Sequence, residues 1–139
     1  RDFHVSNLMK YKKKLATIDT QDALIGNRAY DLASLIDDVR YKSNKKLKEN
    51  IYKYYLKLNN KKINKVILLN DFEILSVLRN MKIIGIFTRL AARDNKTNYL
   101  NLIPYAWKLI ELRIKNNKIF DNLKRTLDLN FSKKLRKLK

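Results

Sequence analysis

The stretch RDFHVSNLMKYKKKLATID, residues 1–19, decides how the rest of the chain is read. Asp2 and Asn7 stand five apart. Asn7–Met9 and Leu15–Ile18 are short apolar pieces, and the basic run KYKKK lies between them. Two apolar pieces around a polar run read as a small β-hairpin with a solvated basic tip. Asp19 then follows the second strand, so the hairpin would return Asn7 and Asp19 to one end.

The remainder of the chain reads as helical. Gly26 and Asn27 are turn residues. After them Ala29, Leu32, Ala33, Leu35, Ile36 and Val39 recur at helical spacing, with Asp37 and Asp38 assigned to the opposite face. A second helix is predicted over 45–58, with a stripe of Leu47, Ile51, Tyr54, Tyr55 and Leu58. A third runs from Asp71, taken as its N-cap, to about Arg93. It is apolar on more than one face and reads as a buried spine, with Gly85 marking a close helix approach. RDNKTN breaks it. Another helix contains Pro104 in its first turns, a short amphipathic piece covers 119–129, and FSKKLRKLK is a basic tail. The fold class is mainly α: one hairpin, then five or six helices, in a single lobe of 1–139.

Composition narrows the functions available. There is no Cys, which excludes thiolate metal sites and suits a reducing cytoplasm. His4 is the only His, so a multi-His metal site is excluded. No apolar run reaches the ~18–20 residues of a membrane span. The formal charge of +19 invites a nucleic-acid or anionic-surface reading through KYKKK and KKLRKLK. However, Lys is spread along the chain, and Lys, Asn, Ile and Tyr share AT-rich codons. Codon bias is the favoured explanation of the charge, and nucleic acid is the runner-up partner.

A helical domain does not need Asp2, Asn7 and Asp19 for packing. Phosphoryl transfer does need such a set. One carboxylate orients the attacking hydroxyl, and hard oxygen ligands hold Mg²⁺ against the phosphates. Protein kinases arrange these groups as H-R-D-x-x-x-x-N, with a second metal-binding Asp after a short hairpin. Arg1, Asp2, Asn7 and Asp19 fit that spacing. The plain alternative is a surface loop with capping Asp and Asn side chains.

Three segments carry a family resemblance: residues 1–9 (RDFHVSNLM), 18–40 (IDTQDALIGNRAYDLASLIDDVR) and 79–110 (RNMKIIGIFTRLAARDNKTNYLNLIPYAWKLI). Together they resemble the aminoglycoside phosphotransferase family. More narrowly, they are similar to its bacterial cell-wall amino-sugar kinases, which phosphorylate N-acetylmuramate and N-acetylglucosamine. The resemblance implies a protein-kinase-like fold, with this chain as its C-terminal lobe. It implies Asp2 as catalytic base, Asn7 and Asp19 as ligands of Mg²⁺, and Asp31 as support of the catalytic loop. Gln21, Asp22 and His4 are implied as loop or substrate-side residues, with simple packing the favoured role for His4.

The implied cofactors are Mg²⁺ and ATP or another nucleoside triphosphate. The implied partners are a hydroxyl-bearing small molecule, a sugar above all, and an N-terminal lobe of the same protein. Without that lobe the 139 residues are expected to be inactive. Two positions depart from the family pattern: no His precedes Arg1, and Thr20 stands where an aromatic is common. Arg89 or Arg93 is expected to reach the substrate pocket, unless paired with Asp37, Asp38 or Glu73. Tyr52, Tyr54, Tyr55, Tyr99, Tyr105 and Trp107 are expected mostly in the core.

Overall fold

The computed structural model describes residues 3–21, 24–59, 63–115 and 117–137. Two strands, β1 (Leu8–Tyr11) and β2 (Lys14–Thr17), precede five α-helices: α1 (Ala29–Ile36), α2 (Lys45–Leu58), α3 (Lys65–Asp94), α4 (Ile103–Ile114) and α5 (Asp121–Asn130). Short 3-10 turns lie at Val5–Asn7, Thr97–Leu102, Lys118–Phe120 and Leu135–Lys137. The chain divides within α3 into two compact units, Arg1–Leu75 and Ser76–Lys139.

In the first unit the strands pair antiparallel from Leu8↔Thr17 to Tyr11↔Lys14. The basic tip is therefore tighter than the sequence suggests. Only Lys12 and Lys13 turn the chain, at φ 44° and 63°. Two-residue hairpin turns with both φ values positive match the twist of the strands, and usually hold Asn-Gly. Two lysines adopt that turn here, so the usual signal is missing from the sequence.

Helix α1 starts where Asn27 caps it. The Asn27 Oδ1 accepts from the Ala29 N–H at 2.9 Å, and the Asn27 carbonyl accepts from Tyr30 at 3.0 Å. Asp71 is not the N-cap of α3, which begins six residues earlier. Asn64 is the cap, accepting from the Val66 and Ile67 amides. Asp71 instead takes a 2.6 Å hydrogen bond from the Asn27 amide, so α3 holds the cap of α1 in place.

The core of this unit joins Ala29, Leu32, Ala33 and Ile36 of α1 to Leu68 and Phe72 of α3. Helix α2 covers it with Ile51, Tyr52, Tyr55 and Leu56. The Tyr52 and Phe72 rings lie 5.3 Å apart. The packed face of α2 is thus rotated from the expected stripe. Tyr54 and Leu58 are exposed, while Lys48 is buried.

Lys48 is drawn inward by the end of α1. That helix stops at Ile36, so its periodicity no longer directs Asp37, Asp38 and Val39, and all three turn into the interior. Both aspartates were expected on the polar face, and both are fully buried. The Lys48 ammonium donates to the Asp37 carboxylate at 2.8 Å and to the Ile36 carbonyl at 2.6 Å. A cation at the C-terminal carbonyls also complements the helix dipole.

In the second unit, the later part of α3 buries Val77, Ile83 and Phe87, while Leu78 is exposed. The buried positions of α3 as a whole follow one broad face rather than all sides. Gly85 is exposed, and a methyl group added there would meet open space, so among the described residues no helix approaches it closely. Pro104 occupies the first turn of α4, where its missing N–H costs nothing. Arg93 pairs with its neighbour Asp94 at 2.6 Å and 3.0 Å, and this hydrogen bond holds the Asp94 carboxyl below its usual range.

Phe131 and Arg136 of the basic tail both meet α4: the Phe131 ring lies 5.2 Å from that of Trp107, and Arg136 is engaged more fully. Arg136 is buried, donates to Glu111 at 3.1 Å and to Asp128 at 2.7 Å, and lies 5.1 Å from the Trp107 ring centre. Burial lowers its pKa, but the hydrogen bonds to Asp128 and Glu111 outweigh it and raise the value. Among the described residues no helix is long and apolar enough to cross a membrane.

Removing the cation of a buried pair leaves its partner charged in the interior, at a cost of about 3–5 kcal/mol. Lys48→Met keeps most of the side-chain volume. Urea unfolding should show a loss of that size, and a loss under about 1 kcal/mol, the range of an exposed pair, would mean the pair does not organise the unit.

Candidate functional site

The 3-10 turn Val5–Asn7 leads directly into β1. Within it the Asn7 N–H donates to the His4 carbonyl at 2.9 Å. On the returning strand, the Ile18 N–H donates to the Asn7 carbonyl at 3.0 Å, one step beyond the last ladder pair. That hydrogen bond closes the open end of the hairpin. It makes Asn7 and Ile18 direct neighbours and sets Asp19 immediately beyond them.

Asp19 has φ 57°, in the left-handed region. This region costs an ordinary L-residue about 1–2 kcal/mol, while Asp and Asn tolerate it better. Strain of this sort collects at functional sites. The Asp19 side chain is exposed and Asn7 is half-buried.

The remaining candidates separate. His4 is half-buried in the same loop, with its Nδ1 enclosed. Gln21 lies exposed in the turn that follows Asp19. Asp31 is exposed on the first turn of α1 and lines a groove of about 350 Å³ with Phe3, Arg28, Leu35, Tyr54 and Leu58. Asp2 and Asp22 lie outside the described residues.

One residue that sequence reasoning set aside reaches the loop. The Val5 N–H donates to Asp38 Oδ2 at 3.1 Å, across 33 residues of sequence. Asp38 Oδ1 accepts from the Arg40 N–H at 3.0 Å, and the Arg40 guanidinium lies 3.7 Å away. The pattern of α1 gives no hint of this contact, because Asp38 lies past the end of the helix.

Among the described residues no three His, Cys, Asp or Glu side chains gather as a metal site. The hairpin end offers one amide oxygen and one carboxylate instead. Mg²⁺ binds through hard oxygens, keeps several waters and takes one or two protein carboxylates beside substrate phosphates. The donors present suit that habit, and do not suit a metal that needs a full protein cage.

Comparison with known proteins finds three relatives that share one name. The chain is 34% identical over 109 residues to the N-acetylmuramate/N-acetylglucosamine kinase of Neisseria meningitidis serogroup B, covering 75% of this chain and 33% of that protein. It is 28% identical over 117 residues to the kinase of the same name from Caulobacter vibrioides, covering 81% of this chain and 32% of the other. Against that of Pseudomonas aeruginosa it is 29% identical over 119 residues, covering 82% and 35%. The chain thus spans about a third of the length of each of these relatives. No protein-family model matches it.

The left-handed backbone at Asp19 can be tested without ligand. Glycine adopts this conformation freely and alanine does not. Asp19→Ala should be about 1 kcal/mol less stable than Asp19→Gly in urea unfolding. Equal midpoints would show that the residue relaxes out of the left-handed region in solution.

Proposed function

We propose that the chain is the C-terminal lobe of a nucleoside-triphosphate-dependent phosphotransferase of protein-kinase-like fold. The acceptor is a hydroxyl of a cell-wall amino sugar, of the kind named in the relatives. The observation that carries this reading is the Ile18–Asn7 hydrogen bond, which sets Asn7 beside Ile18, the residue before Asp19. The similarity to three amino-sugar kinases supports it.

In this reading Asp2 orients the sugar hydroxyl for attack and accepts its proton. Asn7 and Asp19 would be the residues that hold Mg²⁺, and ATP, when bound, would supply the phosphoryl group. The chain's own contribution is positioning, through a loop fixed at its hairpin end and at Asp38. Asp31, Gln21, Asp22 and His4 belong to the surroundings of the loop. An N-terminal lobe of the same protein covers the nucleotide, the protein works in the cytoplasm, and the 139 residues alone are inactive.

The rival reading, a basic module for nucleic acid, loses part of its support. Arg136 of the KKLRKLK tail is engaged by Glu111 and Asp128. Lys133, Lys134 and Lys137 of the tail stay exposed, as do the hairpin lysines, of which Lys12 and Lys13 form the two-residue turn.

The test is phosphate transfer from ATP to N-acetylglucosamine and N-acetylmuramate by the full-length protein with Mg²⁺. Asp19→Asn keeps a residue that tolerates the left-handed backbone but removes the charge. It should lower turnover by about 10²-fold or more, the scale on which loss of one charge-stabilising group is felt. Near-normal turnover in that variant, with the unmodified protein active, would remove Asp19 from the site.

A further inference from the structure

We propose that Asp38 is the positioning residue of this site, acting as a remote N-cap for the 3-10 turn between Asp2 and Asn7. The inference rests on the phosphotransferase reading and adds a residue to it. The first amides of any helical turn lack internal partners, and a cap must supply an acceptor. His4 holds the N-cap position of the turn, with extended backbone, but its side chain makes no capping hydrogen bond. The acceptor comes instead from Asp38, at 3.1 Å from the Val5 nitrogen.

Geometry makes this cap a rigid one. Asp38 is 1% exposed, and its second oxygen is held by the Arg40 amide. The residue before it, Asp37, is tied to Lys48 of α2. The cap therefore sits on the packed end of α1 rather than on a mobile side chain. Val5 lies three residues after Asp2 and two before Asn7. A fixed point at Val5 sets the path of the described loop, residues 3–6, that leads into the proposed metal ligand Asn7. Asp38 touches neither reactant in this scheme, so its effect passes entirely through the Val5 amide.

The contact can be removed from either side. Asp38→Ala deletes the acceptor. Val5→Pro deletes the donor, and the local backbone accepts it: proline suits the first position of a helical turn, and His4 at φ −130°, ψ 167° has the extended form a residue before proline requires. Val5→Ala serves as the reference for the lost side chain, since it keeps the N–H.

In the full-length protein, Asp38→Ala should lower kcat by about 10²-fold, the scale of a misplacement transmitted from outside the chemistry. KM for the amino sugar should change little. Val5→Pro should lower kcat by a similar factor relative to Val5→Ala. The double variant should be no worse than either single one, because both delete one hydrogen bond. Asp38→Asn, which keeps one acceptor oxygen, should recover part of the loss. Amide exchange at Val5 should accelerate in Asp38→Ala.

A folded Val5→Pro with kcat within about twofold of Val5→Ala would overturn the proposal, as would losses that multiply in the double variant. Should Asp38→Ala fail to fold, Val5→Pro and Asp38→Asn decide it. If the unmodified protein transfers no phosphate, the phosphotransferase reading fails. Val5 amide exchange in Asp38→Ala against the unmodified protein then decides the cap alone: faster exchange sustains it, and unchanged exchange ends it.

Discussion

Two adjacent buried carboxylates organise the first unit. Asp37 and Asp38 come directly after the last turn of α1, and neither could remain there ionised without partners. Asp37 recruits Lys48, which fixes the rotation of α2 and places Tyr52 against Phe72. Asp38 recruits the Val5 amide and so fixes the loop before the hairpin. One short turn thereby connects the packing of α2 to the loop of the proposed site. The pair contributes little to net stability by itself, since desolvation offsets most of the attraction. What it contributes is a single arrangement, in which α1, α2 and the loop cannot shift independently.

The hairpin and most helices were legible because their signals are local. Residues 45–58 carry an amphipathic pattern that begins at the capping residue Asn44, and α2 occupies that span. Pro104 forecasts the start of α4 equally well. The misreadings share a different cause. Asp71 resembles a cap, but Asn64 is one too, and only the partner Asn27 explains why Asp71 is carboxylic. Lys48 looks like a solvated residue until the burial of Asp37 is known. Asp37 and Asp38 were assigned by extending a helical period past the point where the helix ends. The deciding contacts lie 11, 33 and 44 residues away, where no window of sequence reports them.

The sequence proposes a chemistry for the candidate site and says nothing of its support. The spacing of Asp2, Asn7 and Asp19 suggested phosphoryl transfer, and the closed hairpin end places Asn7 beside the entry to Asp19. The residue that braces the loop had no motif to announce it. A positioning group needs only one oxygen at one point in space, and many sequence positions can deliver it. Asp31 illustrates the converse. It sits within a recognisable motif, yet it lies exposed in the groove beside Phe3 and Arg28.

The left-handed positions carry a further consequence. Lys12, Lys13, Asp19 and Asn95 all have positive φ, and neither glycine among the described residues does. Each turn that another protein would give to glycine is held here by a residue with a side chain. Among the described residues, left-handed backbone is therefore confined to four exposed points outside the core. Headroom for engineering a more robust variant accordingly lies at Lys13 and Asn95, where a glycine would relieve the backbone without touching the core or the proposed site.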